Sequence, residues 1–386
     1  MRRSTYRCAT AVIVLSLTPF AGAQETSNLL ARIKAVGKEG TGNVEAAKAW
    51  KELVKLGPAV LLDILTGLDD ATPTAANWLR AAVEQIRDDA ERARKPLPAE
   101  RLEAFVKQTK HTGHARRLAY ELLVRVDATA PSRLLPGMLD DPGAELRRDA
   151  VAVLLKDAEA LAAKKADGAT DALKKVLKHA RDRDQVEAAA KLLKPLGVDV
   201  DLTAHYGFIT NWLVVGPFDN RKGAGFNNPQ PPQSGVDPKA VYAGKDKEEI
   251  RWQPHTVPAD KLGLVNFNKI YTEKKGVIAF AYTVVDSPKE RPIELRAASN
   301  NAVRIYLNGK EVYFREEYHH GMEIDQHVGK GVLKPGRNEI LVKVCQNEQT
   351  DDWAREWSFQ LRVCDAIGGA VPVTVVTGKL QPAGGE

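Results

Sequence analysis

Two stretches of this 386-residue chain concentrate the side chains that chemistry needs. The first is Glu316-Glu317-Tyr318-His319-His320-Gly321-Met322-Glu323-Ile324-Asp325-Gln326-His327. Carboxylates and imidazoles are ligand types for a divalent metal, and paired acids are the groups that hydrolyse glycosidic bonds. Glu316, His319, Glu323 and Asp325 are the weak metal candidates. His319 and His320 are adjacent, so on a strand they point to opposite faces and do not readily share one ion. The favoured expectation is an exposed polar loop or strand end, with no catalytic residue and no cofactor; a structural calcium is left open.

The second stretch runs from Asn347 to Trp357. Trp353, Tyr318, Asn347, Gln349 and Asp351 are the candidate ligand-binding residues, because a ring can stack on the C–H face of a sugar while amides bond its hydroxyls. Trp353 falls in a connecting loop and is the leading candidate. Trp357 alternates with Phe359, Leu361 and Val363, which assigns it to a core, as are Trp212 and Trp252. There is no G-x-S-x-G, Walker loop, dinucleotide fingerprint, H-E-x-x-H helix or C-x-x-C pair, so an enzymatic reading lacks a constellation.

The elements that must position these residues read as strands. Past Asp201 short runs of Val, Ile, Phe, Tyr and Trp are separated by Asn, Gly and Pro, which sets a domain boundary near 200. Strands are expected at 208–218, 277–285, 292–297, 302–307, 310–314, 338–345 and 357–364, with a long surface loop at 219–239. Asn308-Gly309 is the favoured two-residue hairpin turn, since both positions need positive φ. Val303, Ile305 and Leu307 alternate onto one face, a half-buried pattern suited to a sandwich rather than a parallel sheet. Cys345 and Cys364 are read as two buried free thiols. If 338–345 and 357–364 pair as a hairpin, the sulfurs sit roughly 20 Å apart, too far for a disulfide.

From Ser27 to Gly197 the chain is rich in Ala, Leu, Lys, Glu and Arg, with apolar residues at three- and four-residue spacing, the pattern of short amphipathic helices. Arg116-Arg117-x-Ala119-x-x-Leu122-Leu123 matches Arg147-Arg148-x-Ala150-x-x-Val153-Leu154. Weaker copies centre on Ala49, Ala82 and Ala189, a loose period such as stacked helical hairpins produce. Arg80, Arg116, Arg117, Arg147 and Arg148 form either a basic concave surface for an acidic partner or, the preferred reading, bonds to turn aspartates of adjacent units. Lys164, Lys165, Lys174, Lys175 and Lys178 read as a solvated face, and His111, His114 and His179 as isolated.

At the start of the chain Arg2, Arg3 and Arg7, the apolar run Cys8 to Leu17 and Ala21-Gly22-Ala23 have the layout of a secretory signal peptide cleaved after Ala23. Secretion or a periplasmic location is the expectation, with no membrane span in the mature chain. The formal charge is +6; losing those three arginines takes 56 basic residues to 53 against 50 acidic. A chain so close to balance gives no reason to expect nucleic acid as a partner.

Two resemblances add to this reading. Leu134-Leu135-Pro136-Gly137-Met138-Leu139-Asp140-Asp141-Pro142, followed by Glu145-Leu146-Arg147, resembles a HEAT-type repeat. The segment 299–312 with its Asn308-Gly309 turn, followed by Leu333-Lys334-Pro335-Gly336-Arg337-Asn338 and the run to Val344, looks like the galactose-binding-like jelly-roll that accompanies β-galactosidase-type enzymes as a sugar-binding accessory. The whole 200–370 block resembles C-terminal modules of secreted bacterial HEAT-repeat proteins. The resemblances imply a multidomain chain, α then β: a HEAT-like α-solenoid over 24–200, a jelly-roll β-sandwich over 201–377 and a flexible tail at 378–386. They imply a glycan or cell-surface protein as partner and no known reaction; a scaffold without small ligand and a hydrolase are the alternatives.

Overall fold

The computed structural model describes residues 18–376. The arginines and apolar run of the expected signal peptide, and the tail 378–386, lie outside them. The chain forms two compact units, Met1–Val153 and Leu154–Glu386.

The first unit is helical. It holds α1 (Thr18–Lys34), α2 (Asn43–Lys55), α3 (Leu61–Gly67), α4 (Pro73–Arg92), α5 (Ala99–Lys107), α6 (Gly113–Val126), α7 (Ala130–Leu134) and the start of α8 (Ala144–Ala163). The helix starts follow from their residues: the Thr72 hydroxyl accepts from Ala75 N ahead of Pro73, and the Thr112 hydroxyl accepts from Ala115 N. The repeated small positions Ala49, Ala82 and Ala119 are fully buried, with Leu53, Ile86 and Leu123 four residues on in the same core. The turn after α7 is fastened from inside. Arg116, 1% exposed, donates from both Nη atoms to the two oxygens of Asp141 at 2.7 Å and from Nε to Val106 O. Arg147 Nη1 donates to Asp141 O at 2.6 Å. Arginine-to-turn-aspartate bonding is thus observed for Arg116, and neither Arg116 nor Arg147 belongs to an exposed basic surface.

The second unit opens with the remainder of α8, α9 (Ala169–His179), α10 (Arg183–Leu193) and α11 (Leu202–Tyr206), then turns to strand at β1 (Asn211–Asp219). After α12 (Ala224–Asn227) come β2 (Val241–Ala243), β3 (Glu249–Arg251), β4 (Gln253–Thr256), β5 (Val265–Asn266), α13 (Phe267–Tyr271), β6 (Val277–Ser287), β7 (Arg291–Ser299), β8 (Ala302–Leu307) and β9 (Lys310–Arg315). The last strands are β10 (His327–Leu333), β11 (Gly336–Gln346), β12 (Ser358–Cys364) and β13 (Thr374–Val375). All pairings are antiparallel. The larger sheet runs β4-β1-β6-β11-β8-β9 with β13 on β6, the smaller β10-β7-β12-β5. Val214, Ala281, Val303, Ile305 and Val342 of the first share one core with Ile293, Leu295, Trp357, Phe359 and Leu361 from the smaller-sheet side, so helices are followed by face-to-face antiparallel sheets.

Three expectations change. The runs ending in Cys345 and Cys364 do not form a hairpin: β11 pairs with β6 and β8, and β12 with β7 and β5. Both thiols are free and buried, for the different reason that they lie in separate sheets. The segment 219–239 is not only surface. Phe226 is buried with Phe218, Ile278 and Phe280 on the outer face of the larger sheet. A Cβ on Gly225 would stand 2.5 Å from Ile278 Cδ1 and 2.6 Å from Asp219 O, so only glycine lets the segment lie this close. The fully buried Lys343 holds it down, its Nζ donating to Gly225 O (2.6 Å), Phe226 O (3.1 Å), Asn228 O (3.2 Å) and Gln233 Oε1 (3.0 Å). Finally, β10 is a strand absent from the expected set, because Gly329 and Gly331 interrupt the side-chain alternation by which a strand is read.

Candidate functional site

The register of the larger sheet brings the candidate residues to one end of the sandwich. Asp219 and Gln346 both lie opposite Val277, Cys345 opposite Ala302, and Val303 opposite Arg315. The loops after β1, β9 and β11 therefore emerge side by side. They are stitched together: Asn220 Nδ2 donates to the Tyr318 hydroxyl at 3.2 Å and to Gln346 O at 3.0 Å, and Lys222 N donates to Glu348 Oε1 at 2.9 Å. Burial pushes the Tyr318 phenol up to about 12, so it stays a neutral donor and acceptor.

Trp353 sits in a single helical turn, Asp352–Ala354, and is 64% exposed. The His319 ring meets it edge-on, with centroids 5.7 Å apart at 88°. His319 in turn bonds Asn347 Oδ1 through Nε2, and the same oxygen accepts from Gln349 N at 3.0 Å. Gln349 Nε2 donates to Asp351 Oδ2 at 3.1 Å. Tyr318, His319, Asn347, Gln349, Asp351 and Trp353 thus belong to one connected loop cluster, in which an exposed indole lies beside oriented amides. Trp357 is buried and donates from Nε1 to Val344 O at 3.3 Å, as its place in the alternation predicts.

The metal candidates disperse. Glu316 accepts from Asn227 Nδ2 at 3.3 Å, His319 turns to Asn347, and Glu323 is exposed. Asp325 forms ion pairs with Arg296 and Arg362, whose pull keeps its carboxyl below the usual range despite burial. Among the described residues no three His, Cys, Asp or Glu side chains stand close enough to hold a metal ion. His320 faces away from His319, toward Gln326 and His327. Asn220 was not singled out by sequence; nothing marks it within a loop of Asn, Gly and Pro.

The helical unit carries an open groove of about 760 Å³ lined by Arg80, His114, Arg117, Glu121, Arg148 and Asp149 among others. Arg117 is already paired with Glu121 and Asp149, and His114 with Glu145. His111, expected to be isolated, stacks on Phe105 and bonds Asp69 through Nδ1 at 2.6 Å. The groove is mixed in charge rather than basic. No described helix is long and apolar enough to cross a membrane.

No family model and no curated protein matches the chain. Among solved structures it is similar to a β-glucosidase from Kluyveromyces marxianus in complex with glucose, at 11% identity and a TM-score of 0.27, over 42% of this chain and 17% of that one. It is similar to the GH31 α-xylosidase of Xanthomonas citri at 12% identity and a TM-score of 0.22, over 40% and 17%. An anti-sigma factor domain-containing protein matches at 12% and 0.24, over 42% and 48%. The chain thus spans less than half the length of each, and likenesses of this size carry no argument about activity.

Proposed function

We propose that this is a secreted, non-catalytic binding protein, with HEAT-like repeats for a protein partner and a jelly-roll, galactose-binding-like sandwich for a glycan or protein ligand. The observation that carries the reading is the exposed Trp353 indole, held at the loop end of the sandwich beside His319 and the Asn347 and Gln349 amides. An indole face turned to water beside fixed polar groups suits the alternating C–H and hydroxyl surfaces of a sugar. The antiparallel two-sheet arrangement supports the jelly-roll reading, and the buried repeat alanines support the stacked-hairpin one. Secretion rests on the charge and apolar pattern of the first 23 residues.

The test is a glycan array probed with the full chain and with Trp353→Ala. Losing a contact residue of this kind costs about 2 kcal/mol, about thirtyfold in affinity. Trp353→Ala is expected to leave thermal unfolding within about 1 kcal/mol of the parent, because the ring is mostly exposed. An array with no glycan bound above background refutes the glycan reading and leaves the scaffold role.

A further inference from the structure

Within the second unit, a cavity of about 250 Å³ lies where α9, α11 and the turn after β12 meet. It is lined by Lys178, Arg181, His205, Arg362, Asp365 and Gly369, among others. The volume is below the ~300–1,000 Å³ of sites for drug-sized molecules, so its occupant is small.

The guanidinium of Arg181 is only half used. Its Nη1 donates to the carbonyls of Lys178 and Ala180, both at 2.9 Å, which cap the end of α9. Its Nε is buried without a partner. A Cβ on Gly369 would stand 2.8 Å from Asp365 Oδ2, 3.0 Å from Nη2 and 3.1 Å from Nε, so the absence of a side chain there leaves a gap lined by the Nε–Nη2 edge on one side and the Asp365 carboxylate on the other. That edge is the two-donor fork that matches an oxyanion.

The other charges are accounted for. Arg362 is committed to Asp325, Tyr206 O and Gly368 O. Arg296 pairs with Glu294 and Asp325, and on α10 Arg183 pairs with Glu187. Asp365 is the one carboxylate in the lining. Its Oδ1 accepts from Ile367 N (3.0 Å) and Gly369 N (2.8 Å), while its Oδ2 faces the gap that the Arg181 fork lines and is the like charge a bound oxyanion must tolerate. Burial, then Arg181 and Arg362, push the His205 imidazole below its ordinary value.

We propose that this cavity binds a small oxyanion, with the Nε–Nη2 edge of Arg181 as its main donor pair and Lys178 and His205 beside it. The oxyanion is either free, such as sulfate or phosphate, or the carboxylate of an acidic sugar. The site is independent of Trp353.

The experiment follows the His205 resonances of the full chain by NMR, assigned with His205→Gln, at constant ionic strength in chloride. Sodium sulfate, sodium phosphate and sodium glucuronate are the probes. Each bound oxyanion adds negative charge beside the imidazole, so a saturable shift and a raised His205 midpoint are expected. Gly369→Ala places a methyl against the fork and should weaken binding at least tenfold; Arg181→Gln should abolish it. Asp365→Asn keeps the Oδ1 contacts, removes the like charge and should tighten binding severalfold. Trp353→Ala should change nothing. Tighter binding of glucuronate than of sulfate assigns the site to an acidic sugar; the reverse assigns it to a free oxyanion. No saturable shift, or one that persists in Gly369→Ala, overturns the proposal. Gly369 has no positive φ, so alanine there brings no backbone strain and displaces only the side-chain oxygen Asp365 Oδ2; thermal unfolding beside the parent's checks that each variant is folded.

Discussion

Replacing Lys343 by methionine tests whether the segment 219–239 is held by charge-assisted bonds or by apolar packing alone. Four oxygens surround the ammonium, but the loss is not shared equally. Phe226 O keeps a bond from Arg304 Nε, and Gln233 Oε1 keeps one from Gln230 N. Gly225 O and Asn228 O are left without the donor they have, at about 1–3 kcal/mol each, or about 4 kcal/mol together. Against this stands the burial cost of the charge, which holds the Lys343 amine down to about 8 from its ordinary 10.5. That difference is worth about 3 kcal/mol, and methionine removes it. The substitution is therefore expected to cost about 1 kcal/mol at pH 7. The sign of the pH dependence follows from the lowered value. Between pH 8 and 10.5 the unfolded chain retains a proton that the folded chain has released, so the parent gains stability as pH rises. The Lys343→Met penalty should therefore grow to about 4 kcal/mol near pH 10.5. Urea unfolding of both proteins at several pH values from 7 upward measures it. A penalty that stays constant or shrinks with pH refutes the reasoning, and the apolar anchor Phe226 would then carry the segment by itself.

Further outcomes follow from other buried polar groups. Arg116→Ala takes the guanidinium from both oxygens of Asp141, leaving Oδ1 only the Gly143 N–H, and should cost about 3–5 kcal/mol in thermal or urea unfolding; a loss below 1 kcal/mol would show that the turn holds without it. His327 is fully buried and bonded to the Tyr313 hydroxyl, and burial holds it down to about 4, so stability should fall as pH drops from 6.5 to 4. His327→Gln should flatten that slope, and an unchanged slope would assign it to other groups. Cys345 and Cys364, raised to about 12 by burial, should resist a thiol reagent in the native protein, and in the mature chain, cleaved after Ala23 and so without Cys8, two thiols should react after unfolding without reductant.

Much of the fold was legible because local rules agree with tertiary packing. Asn308-Gly309 adopts positive φ at both residues, and Val303, Ile305 and Leu307 point into the core between the sheets, as alternation implies. Which strand lies beside which was not legible. The runs ending in Cys345 and Cys364 are consecutive in sequence over a short connection, which argues for a hairpin, yet they part into different sheets. Burial of both faces of β6 reads only as an unbroken apolar run, with nothing in it to announce that residues 219–239 cover one side. At the site, Trp353 and Trp357 were separated correctly by alternation, since one is exposed and the other buried. The side chains that fix the loops, Asn220 and Asp325, were not distinguishable from other polar loop residues, because their roles depend on partners about 100 and about 40 positions away.

The loop between β9 and β10 is pinned twice near its ends: at Tyr318 by Asn220, and at Asp325 by Arg296 and Arg362. Between these pins, a side chain added at Gly321 would meet nothing within 4 Å. Loop closure grows only slowly more costly with length, so residues inserted at 321 add little strain once both ends are fixed. The chain thus separates the part of this loop that holds the structure from the part that can change. Residues inserted at 321 would lengthen the loop, and a designer could graft a foreign peptide there, while His319 kept its place against Trp353 and His320 its bond to Asn300 O.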